Sequence, residues 1–126
     1  MLEAVRTKAP EVVVWGSGSA TREFLYVDDA ARAIVSAVDV DVTGDFPWIL
    51  NIVGGMRNQI SNTHLANEIA GLVGFTGALT FDAQKPTGQP RRSFSGVCAL
   101  HALQWGPKMR LSDGLATTVA WIKEQQ

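Results

Sequence analysis

The sequence predicts an α/β domain with a small sheet of about four strands and three to four helices. Short β-branched or aromatic runs recur between Gly and Pro residues, and they alternate with longer segments whose apolar residues return every three or four positions. The chain has 126 residues, of which 46% are hydrophobic and 18% are charged. Length and composition suit one globular domain, so residues 1–126 are predicted to form a single domain.

Two strands are predicted near the N-terminus. Residues 12–15 (VVVW) form a β-branched run typical of a buried strand, and residues 23–27 (EFLYV) follow the Gly/Ser turn at 16–19. Residues 1–8 have no strand before them, so we expect them to be a helix fragment, not the natural start of a domain.

A helix is predicted after the second strand. Asp28 and Asp29 suit its N-terminus, because carboxylates there accept hydrogen bonds from unpaired amides and meet the positive end of the helix dipole. The alternative is an acid/base pair, although capping accounts for both carboxylates without chemistry. The apolar face of this helix is predicted to consist of Ala31, Ile34, Val35 and Val38.

The middle of the chain predicts a strand, a helix and a further strand. Residues 49–53 (ILNIV) are predicted as the third strand and residues 78–82 (ALTFD) as the fourth. Between them, Ser61 or Asn62 should cap a helix that Gly74 ends. The inward positions of that helix are predicted to be Leu65, Ile69, Leu72 and Val73.

Two helices are predicted in the last third of the chain. Residues 95–104 suggest a short helix, and Ser112 should cap a final helix that has Lys123 near its C-terminus. The inward positions of the final helix are predicted to be Leu115, Val119 and Ile122.

Charge and composition exclude several classes of function. Eleven Lys and Arg residues against twelve Asp and Glu residues leave a net charge of −1, which does not suit nucleic-acid binding over a wide face. No apolar run approaches the roughly 20 residues of a membrane span, and the first ten residues do not resemble a signal peptide. A single cysteine, Cys98, cannot form an internal disulfide. We therefore expect a cytoplasmic protein with no membrane and no nucleic acid among its partners.

The run Gly16-Ser17-Gly18-Ser19-Ala20-Thr21 resembles a dinucleotide-binding fingerprint. A fingerprint needs a helix N-terminus aimed at the pyrophosphate, whereas the residues after this run predict a strand, and Thr21 stands where the third glycine would be. A tight turn is the interpretation that we favour over a cofactor site.

The residues with metal-binding side chains are sparse. His64 and His101 lie far apart in the sequence, and only Cys98 shares a helical face with His101. A zinc site requires three or four ligands, so we expect no metal and structural roles for these three residues.

A more informative cluster combines aromatic, cationic and acidic side chains. Arginine can offer a planar fork to a diphosphate, tryptophan can cover a flat base or sugar, and aspartate can accept hydrogen bonds from guanine or ribose. The combination suits a nucleotide sugar, and the alternative is a core tryptophan beside solvated cations. The cluster consists of Trp15, Arg22, Asp82, Lys85, Arg91 and Arg92.

Three stretches carry a resemblance to a known family. They are residues 10–33 (PEVVVWGSGSATREFLYVDDAARA), residues 72–92 (LVGFTGALTFDAQKPTGQPRR) and residues 103–126 (LQWGPKMRLSDGLATTVAWIKEQQ). Together they resemble the C-terminal part of GDP-L-fucose synthases, which are extended short-chain dehydrogenase/reductases among the nucleotide-sugar epimerases and dehydratases. The resemblance implies the fold of the C-terminal substrate domain of those enzymes.

The resemblance also implies substrate contacts. Trp15 and Arg22 match the family's Trp-Gly-Ser-Gly-x-x-x-Arg-Glu-Phe motif, and Asp82 matches its Phe-Asp-Ala-x-Lys-Pro loop, in which Lys85 also lies. These four residues are the predicted substrate-binding residues. The loop departs from the family at Thr87, where Asp is usual.

The family's catalytic machinery has no match in these residues. The complete enzymes bind NADP on a Rossmann domain and use a Tyr with a Lys four positions later, where the Lys lowers the phenol pKa. The only tyrosine of this chain is Tyr26, and position 30 is Ala. Cys98 and His101 do not match the family's epimerising Cys and His. We therefore expect no cofactor, no catalytic residue and no Rossmann domain in this chain.

These observations predict a free-standing, truncated substrate domain that binds a GDP-sugar weakly, if at all, and does not catalyse alone. Two alternatives stay open: an oligomeric interaction protein without a ligand, and one half of a split epimerase completed by a separate Rossmann subunit. We also expect a homodimer or higher oligomer, because a missing Rossmann domain would leave apolar surface uncovered near residues 12–14 and 1–8.

Overall fold

The computed structural model describes residues 1–44, 47 and 49–125. Two compact units make up the chain. Unit 1 consists of Met1–Arg22, Ile60–Arg92 and Ser112–Gln126. Unit 2 consists of Glu23–Gln59 and Ser93–Leu111.

The elements confirm the predicted α/β class, with helices and short strands mixed along the chain. In the described residues the helices are α1 (Leu2–Arg6), α2 (Val27–Val38), α3 (Asn62–Val73), α4 (Val97–Leu103) and α5 (Leu111–Glu124). The strands are β1 (Glu11–Trp15), β2 (Thr21–Glu23), β3 (Gln59–Ser61) and β4 (Ala78–Asp82). A 3₁₀ turn, Met56–Asn58, precedes β3. The helix predicted within residues 1–8 is confirmed as α1.

Within the described residues, the strands form two sheets of two strands each. In the first sheet β1 runs parallel to β4, in a register that pairs Glu11 with Ala78 at one end and Trp15 with Asp82 at the other. In the second sheet β2 pairs with β3. The parallel pair needs a long crossover connection, and α3 lies in the chain between its two strands.

The predicted strands at 12–15 and 78–82 are confirmed, but β1 is not buried. Exposed and half-buried residues alternate along it, and Val13 and Trp15 point to the exposed side. A strand in a two-stranded sheet has one face free of covering layers unless other elements pack on it, so a β-branched run alone does not establish burial.

Two strand predictions are wrong in their extent. The strand predicted at 23–27 is misplaced, because β2 is Thr21–Glu23 and shares only Glu23 with that range, and α2 begins at Val27. Residues 49–53 form no strand, although Leu50 and Ile52 pack against the core of unit 2. An apolar run can bury its side chains without forming a strand, because a strand also needs a neighbouring strand with which to pair.

The core of unit 1 consists of small and β-branched side chains from α3 and α5 and from the turn before β2. As predicted, Ser61 caps α3 by accepting a hydrogen bond from the N–H of His64 (3.3 Å), and Gly74 ends the helix. The final helix is confirmed, but it begins at Leu111, so the predicted cap at Ser112 is wrong. The buried apolar residues of this unit are Ala20, Ala66, Ala70, Val73 and Val119.

The core of unit 2 is small and lies between α2 and α4. The helix predicted at 95–104 is confirmed as the shorter α4. The buried cluster consists of Ala33, Ala99, Leu103 and Trp105, with Leu25, Val40, Leu50 and Ile52 packed against it.

Asp29 organises unit 2. Its side chain is almost fully buried, although it lies in the first turn of α2. One carboxylate oxygen accepts hydrogen bonds from the N–H groups of Lys108 (3.0 Å) and Met109 (2.8 Å), and the other pairs with Arg32. Its backbone oxygen accepts from the indole N–H of Trp105 (3.0 Å). Asp28 and Asp29 thus both lie in the first turn of α2, as predicted, but the predicted capping is wrong, because the helix has no side-chain cap and donors from a distant segment take the Asp29 carboxylate.

Asn58 also binds the backbone of the segment that contains Met109. It is the largest fully buried side chain of the described residues. Its amide nitrogen donates to the backbone oxygen of Met109 (3.0 Å), and its amide oxygen accepts from the N–H of Leu111 (2.9 Å). A buried amide that satisfies both of its ends fixes the path of the chain, because losing either bond would leave a buried polar group unpaired.

The predicted apolar face of α2 points outward. Ile34, Val35 and Val38 are exposed, while Asp29 and Ala33 are the buried residues of the helix. The helical period was predicted correctly, but the core side of the helix was not, because Asp29 is held inside by its hydrogen bonds.

The described helices are short relative to a bilayer. α5 has 14 residues, whereas a membrane span needs about 20 apolar ones. No helix within the described part of the chain has the length and apolar character to cross a membrane.

The Asp29 network makes a stability prediction. We expect Asp29→Ala to lower the free energy of unfolding by about 2–4 kcal/mol, because it leaves the partly buried N–H groups of Lys108 and Met109 without an acceptor and Arg32 without its ion-pair partner. Urea unfolding followed by circular dichroism measures the loss. Asp28→Ala, at the exposed neighbouring position, is the matched control and should change stability by less than about 0.5 kcal/mol.

The same network gives stability a pH dependence. Burial of Asp29 acts to raise its pKa, but the hydrogen bonds from Arg32, Met109 and Lys108 outweigh burial, so the pKa lies below the ordinary value. A carboxyl whose pKa is lower in the folded state stabilises the fold above its unfolded pKa of about 4, and that contribution is lost as the pH falls through the folded pKa. The loss of stability between pH 6 and pH 3 should therefore be smaller in Asp29→Ala than in the wild type or Asp28→Ala. Equal losses in all three proteins would contradict this.

Candidate functional site

The candidate site lies in unit 1, where β1 and β4 end side by side. Trp15 and Asp82 are the last residues of the two strands and are register partners. The N–H groups of Gly16 (2.9 Å) and Lys85 (3.1 Å) both donate to the backbone oxygen of Asp82. The turn after β1 and the loop after β4 therefore begin at one edge of the sheet.

Trp15 and Lys85 are brought into direct contact. Trp15 is 69% exposed, and the ammonium nitrogen of Lys85 lies 5.6 Å from the centroid of the Trp15 ring. This distance is within the range of a cation–π interaction. The exposed ring is therefore not a core side chain, and Lys85 has a preferred position over it.

Asp82 is half-buried, and its side chain shapes the loop that follows β4. One carboxylate oxygen accepts a hydrogen bond from the N–H of Gln84 (3.0 Å). An aspartate that binds the backbone two residues ahead forms an Asx turn, which fixes the direction in which the loop leaves the strand.

Arg22 lies in β2 and contacts the same loop. Its guanidinium donates one hydrogen bond to the backbone oxygen of Thr21 (2.8 Å), which orients the half-buried side chain. A Cβ at Gly88, which has φ +73°, would lie 3.3 Å from the other terminal nitrogen of Arg22. Thr21 also donates through its N–H to the backbone oxygen of Pro90 (2.8 Å) and forms a parallel bridge with Arg91. The loop at 83–90 thus joins β4 to the strand that carries Arg22.

Thr87 is a residue of the site that the sequence analysis treated only as a departure from the family pattern. Its hydroxyl accepts a hydrogen bond from the N–H of Ser17 (3.3 Å), so it ties the Gly/Ser turn to the loop after β4. The sequence signal was the Pro-Thr-Gly stretch, which predicts a turn but does not identify what the threonine contacts.

The Gly/Ser turn leads into β2, not into a helix, as the sequence predicted. The backbone oxygen of Gly18 accepts hydrogen bonds from the N–H (2.9 Å) and the hydroxyl (3.0 Å) of Thr63 at the start of α3. A Cβ at Gly18, which has φ +74°, would lie 2.2 Å from that hydroxyl oxygen, so only glycine fits. The first turn of α3 thus binds the Gly/Ser turn through Thr63.

The three residues with metal-binding side chains that the sequence analysis considered are divided between the two units. His64 lies in unit 1, whereas Cys98 and His101 lie on α4 of unit 2, and all three are exposed. Across residues 1–44, 47 and 49–125, no group of three or more His, Cys, Asp or Glu side chains is arranged to hold a metal ion.

Unit 1 offers three kinds of recognition, two at the end of the β1–β4 pair and one beside the loop that follows β4. Trp15 presents a flat apolar ring, Arg22 presents the remaining donors of a guanidinium, and Asp82 presents a carboxylate. An aromatic ring can stack on a base, guanidinium donors pair with phosphate oxygens, and a carboxylate accepts from hydroxyl or amino groups.

Sequence comparisons place the chain beside nucleotide-sugar enzymes. A model of the NAD dependent epimerase/dehydratase family matches residues 1–52. GDP-L-fucose synthase of Escherichia coli K12 is 41% identical over 128 residues, which cover 98% of this chain and 40% of that protein. A protein described as putative GDP-L-fucose synthase 2 of Arabidopsis thaliana is 40% identical over 97% of this chain and 35% of its own length. The chain thus spans two fifths or less of the length of these relatives.

Solved structures agree with these relatives. A GDP-L-fucose synthetase from Naegleria fowleri superposes with a TM-score of 0.82 at 25% identity, over 98% of this chain and 36% of that one. UDP-glucuronic acid 4-epimerase from Bacillus cereus, solved in complex with UDP-glucuronic acid and NAD, superposes with a TM-score of 0.80 at 25% identity, over 99% and 38% of the two chains. The resemblance to GDP-L-fucose synthases is confirmed over nearly the whole chain, and so is the fold.

The close contact at Gly18 makes a prediction about the turn that carries the site. We expect Gly18→Ala to lower the free energy of unfolding by about 2 kcal/mol or more, because the new methyl group overlaps Thr63 and the residue keeps an unfavourable positive φ. Urea unfolding provides the measurement. Gly71→Ala in α3 is the matched control, since no atom lies within 4 Å of its added Cβ. That variant should gain about 0.5–1 kcal/mol from helix propensity, and a Gly18→Ala protein as stable as the wild type would show that the turn has another conformation.

Proposed function

From the similarity to GDP-L-fucose synthases, we propose that this chain is the substrate domain of an NADP-dependent epimerase/reductase of that type, and that it binds GDP or a GDP-sugar weakly. The observation that carries the proposal is the meeting of Trp15 and Asp82 at one sheet edge, with Arg22 on the strand joined to the same loop. These are the positions that match the substrate motifs of the family.

Each residue has a distinct role in the proposal. Arg22 donates to the diphosphate, because its guanidinium is held by Thr21 and keeps further N–H donors for an anion. Trp15 covers the base or the sugar with its exposed ring. Asp82 accepts from a hydroxyl or amino group of the ligand, and its hydrogen bond to Gln84 orients it.

Lys85 has a supporting role. Its ammonium group lies over Trp15, so it adds positive charge at the ring but must share its position with any base that stacks there. An exposed lysine is strongly hydrated and contributes less to a bidentate anion contact than an arginine. We therefore assign the larger share of the diphosphate affinity to Arg22.

The described residues do not fit a dinucleotide at the Gly/Ser turn. The pyrophosphate of such a cofactor needs free N–H groups at a helix start, and at α3 the N–H of Thr63 is bound to Gly18 and that of His64 to Ser61. We therefore propose no NADP-binding residue in this chain. The cofactor of the complete enzymes would have to be bound by other residues.

The proposal predicts an order of affinities. In calorimetric titration with GDP at low salt, Arg22→Ala should weaken binding about tenfold or more, because a hydrogen bond between charged groups contributes roughly 1.5–3 kcal/mol. Lys85→Ala should weaken binding less than about threefold. Lys123→Ala on α5 of the same unit is the control for net charge and should bind like the wild type.

Three outcomes would count against this assignment. Equal losses in the Arg22, Lys85 and Lys123 variants would indicate attraction by net charge only. A larger loss in Lys85→Ala than in Arg22→Ala would reverse the roles. No heat from the wild type at millimolar GDP would favour the alternative of an interaction protein without a ligand.

The proposal also predicts the absence of turnover by the chain alone. The only tyrosine, Tyr26, is followed four positions later by Ala30, so the proton-exchanging Tyr-x-x-x-Lys pair of the family is not present in these residues. The purified chain should not oxidise NADPH when given GDP-4-keto-6-deoxymannose. A spectrophotometric assay at 340 nm tests this, with E. coli GDP-L-fucose synthase as the positive control, and any NADPH oxidation above the protein-free rate contradicts it.

A further inference from the structure

The loop after β4 contacts both the Gly/Ser turn and Arg22 through residues 86–88. A Cβ at Gly16 would lie 3.0 Å from the Cα of Thr87. A Cβ at Gly88 would lie 3.3 Å from a terminal guanidinium nitrogen of Arg22. One short segment therefore lies against the turn that follows β1 and against the guanidinium to which we assign the diphosphate.

Glycine residues allow both of these close contacts. Gly16 has φ +87° and Gly88 has φ +73°, which are left-handed values that favour glycine. At Gly88 the loop backbone itself faces the guanidinium of Arg22, with no side chain between them. A displacement of the loop would therefore change the space that is open to that guanidinium.

Backbone hydrogen bonds fix the two ends of this loop. At its start, the N–H of Lys85 donates to the backbone oxygen of Asp82 (3.1 Å). At its end, the N–H of Thr21 donates to the backbone oxygen of Pro90 (2.8 Å). The position of the middle of the loop depends on a further contact.

The hydroxyl of Thr87 holds the middle of the loop to the Gly/Ser turn. It accepts a hydrogen bond from the N–H of Ser17 (3.3 Å). Ser17 is exposed and Thr87 is half-buried, so water can replace this hydrogen bond at little cost in stability. The contact therefore fixes a position more than it stabilises the fold.

Arg22 has a second nitrogen that its own strand does not hold. One terminal nitrogen of the guanidinium donates to the backbone oxygen of Thr21 (2.8 Å), and the other lies beside Gly88. Bidentate pairing with a phosphate needs two N–H groups in a fixed orientation. If the loop moved away, Arg22 would keep its hydrogen bond to Thr21 but lose the neighbour that limits rotation of the second nitrogen.

We infer that Thr87 is a positioning residue for Arg22, because it holds Gly88 beside the guanidinium. The chain has Thr where the family usually has Asp, and a hydroxyl accepts the hydrogen bond from Ser17 without adding a negative charge to this segment. The importance of Thr87 for a nucleotide rests on the proposed function. Its effect on Arg22 is a property of the free protein and can be measured without a ligand.

NMR of the free protein tests this role. In Thr87→Val, which removes the hydroxyl but keeps the branched shape, the amide hydrogen of Ser17 should exchange with solvent about threefold faster or more, because it loses its acceptor. The Nε–H signal of Arg22 should shift toward that of a freely hydrated arginine, although Arg22 itself is unchanged. The midpoint of thermal unfolding should fall by less than about 4 °C, because the lost hydrogen bond is exposed. Thr87→Ser keeps the hydroxyl and should keep both wild-type signals.

A second threonine of unit 1 provides the matched control. Thr117→Val on α5 also removes one hydroxyl hydrogen bond, the one to the backbone oxygen of Asp113 (2.9 Å), and should leave the signals of Ser17 and Arg22 unchanged. In calorimetric titration, Thr87→Val should weaken GDP binding about threefold to tenfold, and Thr87→Ser should weaken it less than about twofold.

The ligand-free and ligand-bound measurements separate the two proposals. The positioning role would be overturned if Thr87→Val left the Ser17 exchange rate unchanged, or raised that rate without moving the Arg22 signal. It would also be overturned by an equal shift in Thr117→Val, by loss of the wild-type signals in Thr87→Ser, or by GDP binding that Thr87→Val leaves unchanged. A wild type that gives no heat with GDP would count against the proposed function alone, since the NMR comparison decides the role of Thr87 without a ligand.

Discussion

The parallel pairing of β1 with β4 determines where the candidate site lies. The two strands are separated by more than sixty residues of chain, yet their register places Trp15 beside Asp82 at the end of the ladder. Two loops then leave from one edge, and the backbone of Asp82 binds the first turn of each. A register shift of one residue would send these side chains to the opposite face, so recognition by this edge depends on the ladder.

Unit 2 relies on polar side chains where a larger domain would rely on its core. Its buried apolar cluster is built from two alanines, a leucine and a tryptophan, which bury little surface. Asp29 and Asn58 each bind backbone groups of the segment before α5, and both have their polar atoms satisfied there. Such contacts position the chain more than they add net stability, because each replaces hydrogen bonds to water.

Local patterns in the sequence predicted the helices and the strands of the β1–β4 pair, but they did not predict the β2–β3 pair or which side chains are buried. The caps of α3, the strand at 78–82 and the period of α2 follow from neighbouring residues, which is why they could be predicted. The burial of Asp29 depends on the N–H groups of Lys108 and Met109. These donors lie about eighty residues away in the chain, so the sequence around Asp29 does not indicate them. The missing strand at 49–53 has the same cause, since strand formation needs a partner that the run itself does not identify.

The four predicted site residues came from motif matching, whereas their interactions came only from the structure. Sequence spacing does not reveal that Lys85 covers Trp15, or that Thr87 ties the turn to the loop. These contacts have a consequence for recognition. In the proposed site, a base that stacks on the face of Trp15 that Lys85 covers would have to displace the ammonium group, and the cation–π contact would then be lost. That loss offsets the positive charge that Lys85 adds, which is why the proposal assigns the larger share of the diphosphate affinity to Arg22.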